Sequence, residues 1–228
     1  RSGNCLSHPD HFLPENDENI PPGELSGFAG ISQHRFNQIL DHVQSIYEPI
    51  FRNKGYRLEL RKSWFNSKVN AMAWSEGRKK IVDIFGGFAR HPVVTEDAIY
   101  LVACHEIGHH LGGIPKYRGE GCATNEGQSD YFATLKCMRK VFENDNNSVG
   151  AVHLEAMNIC RGRFTTQNET DICIRSVMAG LSSANLSEAV SGGGTPSLYQ
   201  KDRSAVRFTY NSHPRPQCRL DTYVNGAI

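Results

Sequence analysis

The sequence predicts an α+β domain, because one helical pattern is followed by three short extended patterns and then by further helical patterns. The chain has 228 residues, of which 39% are hydrophobic, so it is long enough to bury a substantial core in one domain. Prolines and glycines interrupt residues 1–30, which show no sustained periodicity. We therefore expect an irregular N-terminal arm over residues 1–30, outside the core, and a domain over residues 31–228.

The first helix is predicted from about Ser32 to Phe51. Ser32 precedes the pattern and can cap the first turn, and Gly55 ends the region. The apolar residues recur at steps of three and four, which places them on one face of a helix: Phe36, Leu40, Val43, Tyr47 and Ile50.

Three extended segments are predicted next, at about Tyr56–Leu60, Lys68–Trp74 and Lys80–Phe85. The first alternates apolar and charged residues, which is the period of a half-buried strand. Ser75–Gly77 separates the second segment from the third and is short enough for a tight connection. These segments are expected to form a small sheet.

The rest of the chain is predicted to be largely helical. A helix should run from Thr95 to about Leu111, because Thr95 can cap it, acidic residues follow at its positive end, and Gly112 ends it. Another helix should run from about Thr124 to Val141. Weaker helical patterns cover about Val149–Cys160 and Asp171–Leu181.

Charge and hydropathy exclude some classes of function. The formal net charge is +1, so no global field favours nucleic acid or an anionic membrane as a partner. The longest apolar run near the motif described below is Ala98–Cys104, far shorter than the roughly 20 residues of a membrane helix. We expect no transmembrane segment in this chain. A lipid anchor on Cys5 is a further alternative, although Asn4 before it matches a lipidation signal poorly.

Seven cysteines are scattered through the sequence, and none forms a CxxC pair. This pattern favours disulfides formed in an oxidising compartment, and the alternative is buried free thiols. An odd count leaves at least one thiol unpaired, and we expect it to be Cys5 or Cys104. The cysteines that lie in polar, loop-like surroundings are the expected disulfide partners: Cys122, Cys160, Cys173 and Cys218.

The motif that carries chemistry is HExxH, formed by His105, Glu106 and His109. Four residues are about one helical turn, so the two histidines lie on one face and can bind one metal ion. Glu106 projects about 100° around the helix from His105, where it can act as a base on a water molecule without occupying a ligand position. A chance match is expected in a few per cent of such chains, but the predicted helix and its apolar neighbours favour a zinc site.

A catalytic zinc site needs a third protein ligand, and Glu126 is the candidate. Asp130 lies four residues later on the same helical face, where it can accept the free ring N–H of a ligand histidine. The alternative is that both are solvated helix carboxylates. His110 projects away from His109 and is interpreted as a partly exposed histidine rather than a ligand. His8, His11 and Cys5 could also reach a metal, which would make the arm inhibitory.

The string HEIGHH followed by NEGQSDYFA resembles the gluzincin metallopeptidases, whose third zinc ligand is the glutamate of an ExxxD helix. More narrowly, three blocks are similar to the HtpX-like and CAAX-prenyl-protease-like family. The first block is Val69–Ala73, the second is the HEIGHHLGG helix with Glu126 and Asp130, and the third is His213-Pro214 with Arg219. The similarity spans about residues 60–225.

The resemblance implies a zincin-like single domain, in which a small mixed sheet packs on the active-site helix and on a second, glutamate-bearing helix. It also implies roles for four further residues. His213 would stabilise the oxyanion or block the open metal position, Arg219 would brace the site or the substrate, and substrate main chain would pair at Asn70 and Ala71. The short spacing to the third ligand and the lack of membrane helices favour the soluble, periplasmic, BepA-like branch of the family.

The resulting hypothesis is a periplasmic or secreted zinc-dependent endopeptidase with one Zn²⁺ per chain and a polypeptide substrate. Glu106 would be the general base and His213 and Arg219 would assist it. The rival from another class is a non-catalytic or self-inhibited zinc protein that acts in envelope assembly or quality control. A third alternative is a metal-dependent hydrolase of a non-peptide amide. The sequence predicts neither the cleavage specificity nor the oligomeric state.

Overall fold

The computed structural model describes residues 10–23, 31–117, 123–150 and 153–228. In these residues a mixed sheet packs against helices, so the α+β prediction is confirmed. The strands are β1 (Asp10–His11), β2 (Arg57–Ser63), β3 (Ala71–Glu76) and β4 (Lys79–Phe85). The helices are α1 (Gln33–Asn53), α2 (Gly86–Arg90), α3 (Glu96–Leu111), α4 (Glu126–Phe132), α5 (Arg139–Phe142), α6 (Leu154–Cys160), α7 (Gln167–Ser191) and α8 (Pro216–Ala227).

The sheet has the order β1-β3-β4-β2, with β2 parallel to β4 and the other pairs antiparallel. The three predicted extended segments are β2, β3 and β4, with ends shifted by a few residues. Gly77 closes the β3–β4 hairpin with a φ of 59°, a left-handed conformation that glycine adopts without strain. In β4 the residues Ile81–Phe85 are all buried, because the strand lies inside the sheet with helices against it.

Helix α1 confirms the first helical pattern. The Ser32 hydroxyl accepts a hydrogen bond from the Arg35 N–H at 3.2 Å, which caps the first turn. The face that carries Phe36 and Val43 is fully buried and packs against β2 and α3. Helix α1 therefore joins the sheet to the central helix.

Helix α3 lies at the centre of the fold and contacts α1, α4 and α7. The Thr95 hydroxyl accepts from the Ala98 N–H at 3.2 Å, as the capping prediction requires. Asp97 in its first turn accepts two hydrogen bonds from Arg175 of α7, at 3.0 and 2.6 Å. The helix is buried along almost its whole length, so its side chains are held rigidly.

Helices α3 and α4 cross closely at Gly108. A Cβ atom at position 108 would lie 3.0 Å from Ser129 Cα, so only glycine allows this approach without displacement of the backbone. The predicted helix from Thr124 to Val141 is present as α4, a π-helical segment Ala133–Met138, and α5. The contact at Gly108 brings the start of α4 next to the last turn of α3.

Two parts of the fold differ from the sequence prediction. Phe12 and Leu13 belong to the main core and are fully buried, whereas the N-terminal arm was expected to lie outside it. Their burial depends on pairing with β3, a contact between distant residues that local periodicity does not reveal. Helix α8 was not predicted, and α7 is longer at both ends than the weak pattern at Asp171–Leu181 suggested.

The cysteines form two disulfides in the described residues, Cys104–Cys137 and Cys160–Cys173. The prediction of disulfides is confirmed in part, but Cys104 is not the unpaired thiol, because α3 packs face to face with the π-helical segment that carries Cys137. Cys218 was expected to be paired and is a free thiol in α8. Cys5 and Cys122 lie outside the described residues.

Among the described helices, none is long and apolar enough to cross a membrane.

Loss of the Cys104–Cys137 bridge is expected to destabilise the fold strongly. The two cysteines are separated by 33 residues, for which the loss of loop-closure entropy in the unfolded chain corresponds to about 3–4 kcal/mol. We expect the double substitution Cys104→Ala, Cys137→Ala to lower the free energy of unfolding by about this amount, measured by urea denaturation. Cys218→Ala should change it by less than about 1 kcal/mol. An unchanged urea midpoint in the double variant would contradict the prediction.

Candidate metal centre

The two histidines of the HExxH motif converge in the buried interior. Their rings come from successive turns of α3, and the two Nε2 atoms lie 3.1 Å apart. Both side chains are almost completely buried. The predicted placement on one helical face brings the two nitrogens to the same point.

Glu126, the first residue of α4, completes the group. One carboxylate oxygen lies 3.3 Å from His105 Nε2 and the other lies 3.5 Å from His109 Nε2. Bonds of about 2.0–2.1 Å to a tetrahedral zinc ion would separate two ligand atoms by about 3.3–3.4 Å. The three observed separations bracket this value. His105, His109 and Glu126 therefore form a buried group that could hold a metal ion.

A hydrogen bond at Nδ1 fixes the orientation of each histidine ring. His105 Nδ1 lies 2.7 Å from Asp130 Oδ1, and His109 Nδ1 lies 2.7 Å from the backbone oxygen of Thr124. Because both partners are acceptors, each ring donates Nδ1–H, so Nε2 faces the shared point and can bind a metal ion whenever it carries no proton. This is the tautomer that a metal ligand needs. Asp130 accepts the ring N–H of His105, which is the contact that the sequence predicted for it.

Asp130 is also the centre of a buried charge network. Its carboxylate accepts hydrogen bonds from Arg219 Nε at 3.0 Å, from Arg219 Nη2 at 2.8 Å and from the Tyr223 hydroxyl at 2.6 Å. Arg219 is completely buried, and its Nη2 atom lies 3.9 Å from Glu126 Oε2. Helix α8 thus supports His105 through one shared carboxylate.

Glu106 lies beside the metal group without joining it. One of its oxygens is 4.0 Å from His109 Nε2. Both oxygens are buried and have no hydrogen-bond partner among the described residues. Burial raises the pKa of this carboxyl well above its usual value. An unpaired buried carboxylate is costly, and its position next to the ligand set fits a role in chemistry at the metal.

The electrostatics of the ligands suit a cation. Burial lowers the pKa of His109 to about 4, so that this ring is neutral near pH 7. For His105, burial is outweighed by the Asp130 and Glu126 carboxylates, which raise its pKa to about 10. For Glu126, burial is outweighed by the neighbouring histidines, chiefly His109, which lower its pKa to about 2. The proton on His105 therefore supplies a positive charge that a bound metal ion would replace.

Metal binding is expected to strengthen as the pH rises from 6 to 8. His109 is already neutral in this range and Glu126 is already ionised, so only His105 must lose a proton. The folded-state pKa of His105 is raised, hence its proton competes with the metal until the pH approaches 10. Release of one proton increases the apparent affinity about tenfold per pH unit. Zinc titration calorimetry in buffers of different ionisation enthalpy measures the affinity and the number of protons released. An affinity independent of pH would contradict the prediction.

His213 lies next to the ligand group, in the loop before α8. Its Nε2 atom is 3.8 Å from Glu126 Oε2 and donates a hydrogen bond to the backbone oxygen of His11 at 2.7 Å. His110 points away, with Nε2 at 3.1 Å from the backbone oxygen of Ile81. His11 is not part of the metal group, and His8 lies outside the described residues.

Asn70 and Ala71, the residues expected to bind substrate, contact the chain's own N-terminal segment. The Asn70 amide group makes two hydrogen bonds with the backbone of Leu13, and the backbone oxygen of Ala71 accepts one from Phe12. These groups lie on the same side of the fold as His213 and Arg219, which also contact this segment.

Sequence reasoning missed two tyrosines at the site. The Tyr117 hydroxyl donates to Glu126 Oε1 at 2.9 Å, and its ring stacks on that of His109 with a centroid separation of 6.5 Å. Tyr223 contacts Asp130 from α8. No local pattern indicated Tyr117, whereas the spacing of Leu220, Tyr223 and Val224 is typical of a buried helical face and could have indicated α8.

Comparisons with protein-family models, with curated proteins and with solved structures find no match for this chain.

Proposed function

We propose that the protein is a zinc-dependent endopeptidase of the gluzincin type with a zincin-like fold. One observation carries the proposal: two imidazole nitrogens and one carboxylate converge at separations that suit a tetrahedral ion, and the unpaired carboxylate of Glu106 lies beside them. Three protein ligands of types N, N and O leave one position open, as in catalytic zinc sites. The completely buried, nitrogen-rich ligand set favours zinc over magnesium or calcium.

Zinc, when bound, would lower the pKa of a water molecule and polarise a peptide carbonyl. Glu106 would take the proton from the attacking water and deliver it to the leaving amine. Its raised pKa in the absence of a cation reflects burial, and a nearby positive charge favours the ionised form that a base requires.

The surrounding residues would orient the ligands and the substrate. Asp130 keeps the Nε2 atom of His105 available, and Arg219 neutralises the buried charge of Asp130. The His213 side chain already donates to a backbone carbonyl, so it could donate to the oxyanion of a peptide substrate. Groups that bind main-chain atoms along the β3 edge support a polypeptide substrate over a small amide.

The resemblance to HtpX-like peptidases and the two disulfides support an oxidising location such as the periplasm or the exterior of the cell. Disulfides of this kind are rare in reducing compartments. Within this proposal, the closest analogy is a soluble periplasmic member of that family.

Zinc analysis combined with cleavage of an unfolded protein tests the proposal. The purified chain should contain about one zinc ion and cleave unfolded casein, chelation should remove both properties, and added zinc should restore both. His109→Phe should lose zinc and activity together, whereas the matched variant His110→Phe should keep zinc. Casein cleavage that survives complete removal of zinc would refute the proposal.

A second candidate is a self-inhibited zinc protein that acts in envelope assembly or quality control. The contacts of Asn70, His213 and Arg219 with the N-terminal segment favour it, because these groups are engaged within the chain. Zinc content without casein cleavage would distinguish this candidate from an open peptidase.

A further inference from the structure

Asp10–Leu13, here termed the N-terminal strand segment, lies along the outer edge of β3. It pairs antiparallel with β3, and Asp10 lies opposite Ala73. The Phe12 N–H donates to the backbone oxygen of Ala71 at 3.0 Å. The part of β3 from Ala71 to Ala73 is therefore not a free edge.

Asn70 extends this pairing with its side chain. Its Oδ1 atom accepts from the Leu13 N–H at 3.0 Å, and its Nδ2 atom donates to the Leu13 backbone oxygen at 3.1 Å. An amide side chain that makes both bonds reproduces the pattern of a neighbouring strand. Asn70 is only 6% exposed, so these bonds are made away from solvent.

Two residues of the candidate site also bind the main chain of the segment. Arg219 Nη1 donates to the backbone oxygen of Phe12 at 2.8 Å, and His213 Nε2 donates to the backbone oxygen of His11 at 2.7 Å. All the hydrogen bonds that β3, Asn70, Arg219 and His213 make to the segment go to its main-chain atoms. Since every extended peptide carries the same atoms, the arrangement recognises a strand rather than a particular sequence.

The segment also reaches the metal ligands. Asp10 lies in the two-residue strand β1, and Phe12 follows it in a bend. The Phe12 ring packs edge-on against His105 with centroids 5.1 Å apart. Asp10 Oδ2 is buried without a hydrogen-bond partner among the described residues. The segment thus occupies the space beside the centre as well as the sheet edge.

We propose that the N-terminal strand segment occupies the position at which an extended peptide binds beside the metal centre, so that a substrate must displace it. The inference rests on the proposed function for the identity of the displaced ligand. The apparent affinity for a substrate then equals the intrinsic affinity multiplied by the fraction of molecules in which the segment is withdrawn. The chain carries its own competitor for the site.

Hydrogen exchange in the zinc-loaded full chain tests the inference directly. The probe is the hydroxamate of a leucine–phenylalanine dipeptide, which combines a zinc-binding group with an extended main chain. Saturation with this probe should increase the exchange rates of the Phe12 and Leu13 amides at least tenfold, because their acceptors would then serve the probe. The amides of Val82 and Ile84 in β4 should keep their protection.

A matched pair of core substitutions adds a binding measurement. Phe12→Ala weakens docking of the segment and should tighten hydroxamate binding at least tenfold in calorimetry. Phe36→Ala removes an equally buried ring from α1 and should leave the dissociation constant within twofold of that of the unmodified chain. If Phe12→Ala does not fold, hydrogen exchange in the unmodified chain decides the matter.

The outcomes separate the inference from the proposed function. Hydroxamate binding with the Phe12 and Leu13 amides still protected would overturn the inference, and so would failure of the probe to bind the folded Phe12→Ala variant. Displacement of the segment without peptide hydrolysis in any variant would support the inference and contradict peptidase function. Efficient peptide hydrolysis while the Phe12 and Leu13 amides remain protected would support peptidase function and overturn the inference.

Discussion

Substitution of Glu106 with glutamine is expected to lower the rate of peptide hydrolysis by about 10²–10⁴-fold, the usual contribution of a general base. Glutamine has nearly the same shape but cannot accept the proton of the attacking water. Glu106 is not one of the three grouped ligands, so the zinc content should remain about one per chain. Steady-state cleavage of a fluorogenic peptide and metal analysis of the same sample measure both quantities.

A control separates loss of the base from general damage. Glu143→Gln removes a carboxylate from the exposed end of the helix after the π-helical segment and should leave the rate unchanged. Glu106→Gln should not destabilise the metal-free chain, because the burial that raises the pKa of Glu106 makes its charge unfavourable in the folded state. Full activity in Glu106→Gln would rule out the assigned mechanism.

Replacement of Arg219 by methionine is expected to lower the free energy of unfolding by about 3–5 kcal/mol. Arg219 is completely buried and makes two hydrogen bonds to Asp130, whose pKa is lowered despite burial chiefly by this guanidinium. The variant leaves a buried carboxylate without its cation. Urea unfolding followed by circular dichroism measures the loss.

The exposed Arg35–Glu96 pair is the matched control. Arg35 also makes two hydrogen bonds to a carboxylate, at 2.9 and 2.8 Å, but both side chains are more than 40% exposed. Arg35→Met should therefore lower the free energy of unfolding by no more than about 1 kcal/mol. Equal effects of the two substitutions would show that burial does not determine the contribution of Arg219.

Combination of Arg219→Met with Asp130→Asn should recover part of the lost free energy of unfolding, since the second substitution removes the uncompensated charge.

The core of the candidate metal centre was predictable because its signals are local. His105 and His109 are one helical turn apart, and their Nε2 atoms meet. Glu126 and Asp130 are also one turn apart, and both contact His105. The association of the two pairs across α3 and α4 is a tertiary contact, which was inferred only from the chemistry of zinc ligands. The helix boundaries of α1 and α3 followed from capping residues and periodicity.

The contacts that the sequence did not reveal join distant parts of the chain. The bond from Arg219 to the backbone of Phe12 spans 207 residues, and the bond from Asn70 to Leu13 spans 57. Prolines and glycines around Phe12 conceal a strand of only two residues, which is too short to show alternation. The pairing of Cys104 with Cys137 likewise depends on how two helices pack, which spacing alone does not define.

The close crossing at Gly108 limits how this sequence can diverge. The motif HExxH leaves two positions unspecified, but in this chain Ile107 is fully buried, and a Cβ atom at position 108 would lie 3.0 Å from Ser129 Cα, so α4 would have to shift by a small amount. Separation of α3 from α4 would draw Glu126 away from the two histidines, since the three meet across that crossing. If the group holds a metal ion, a larger residue at position 108 is therefore expected to weaken metal binding without touching any of the three grouped residues.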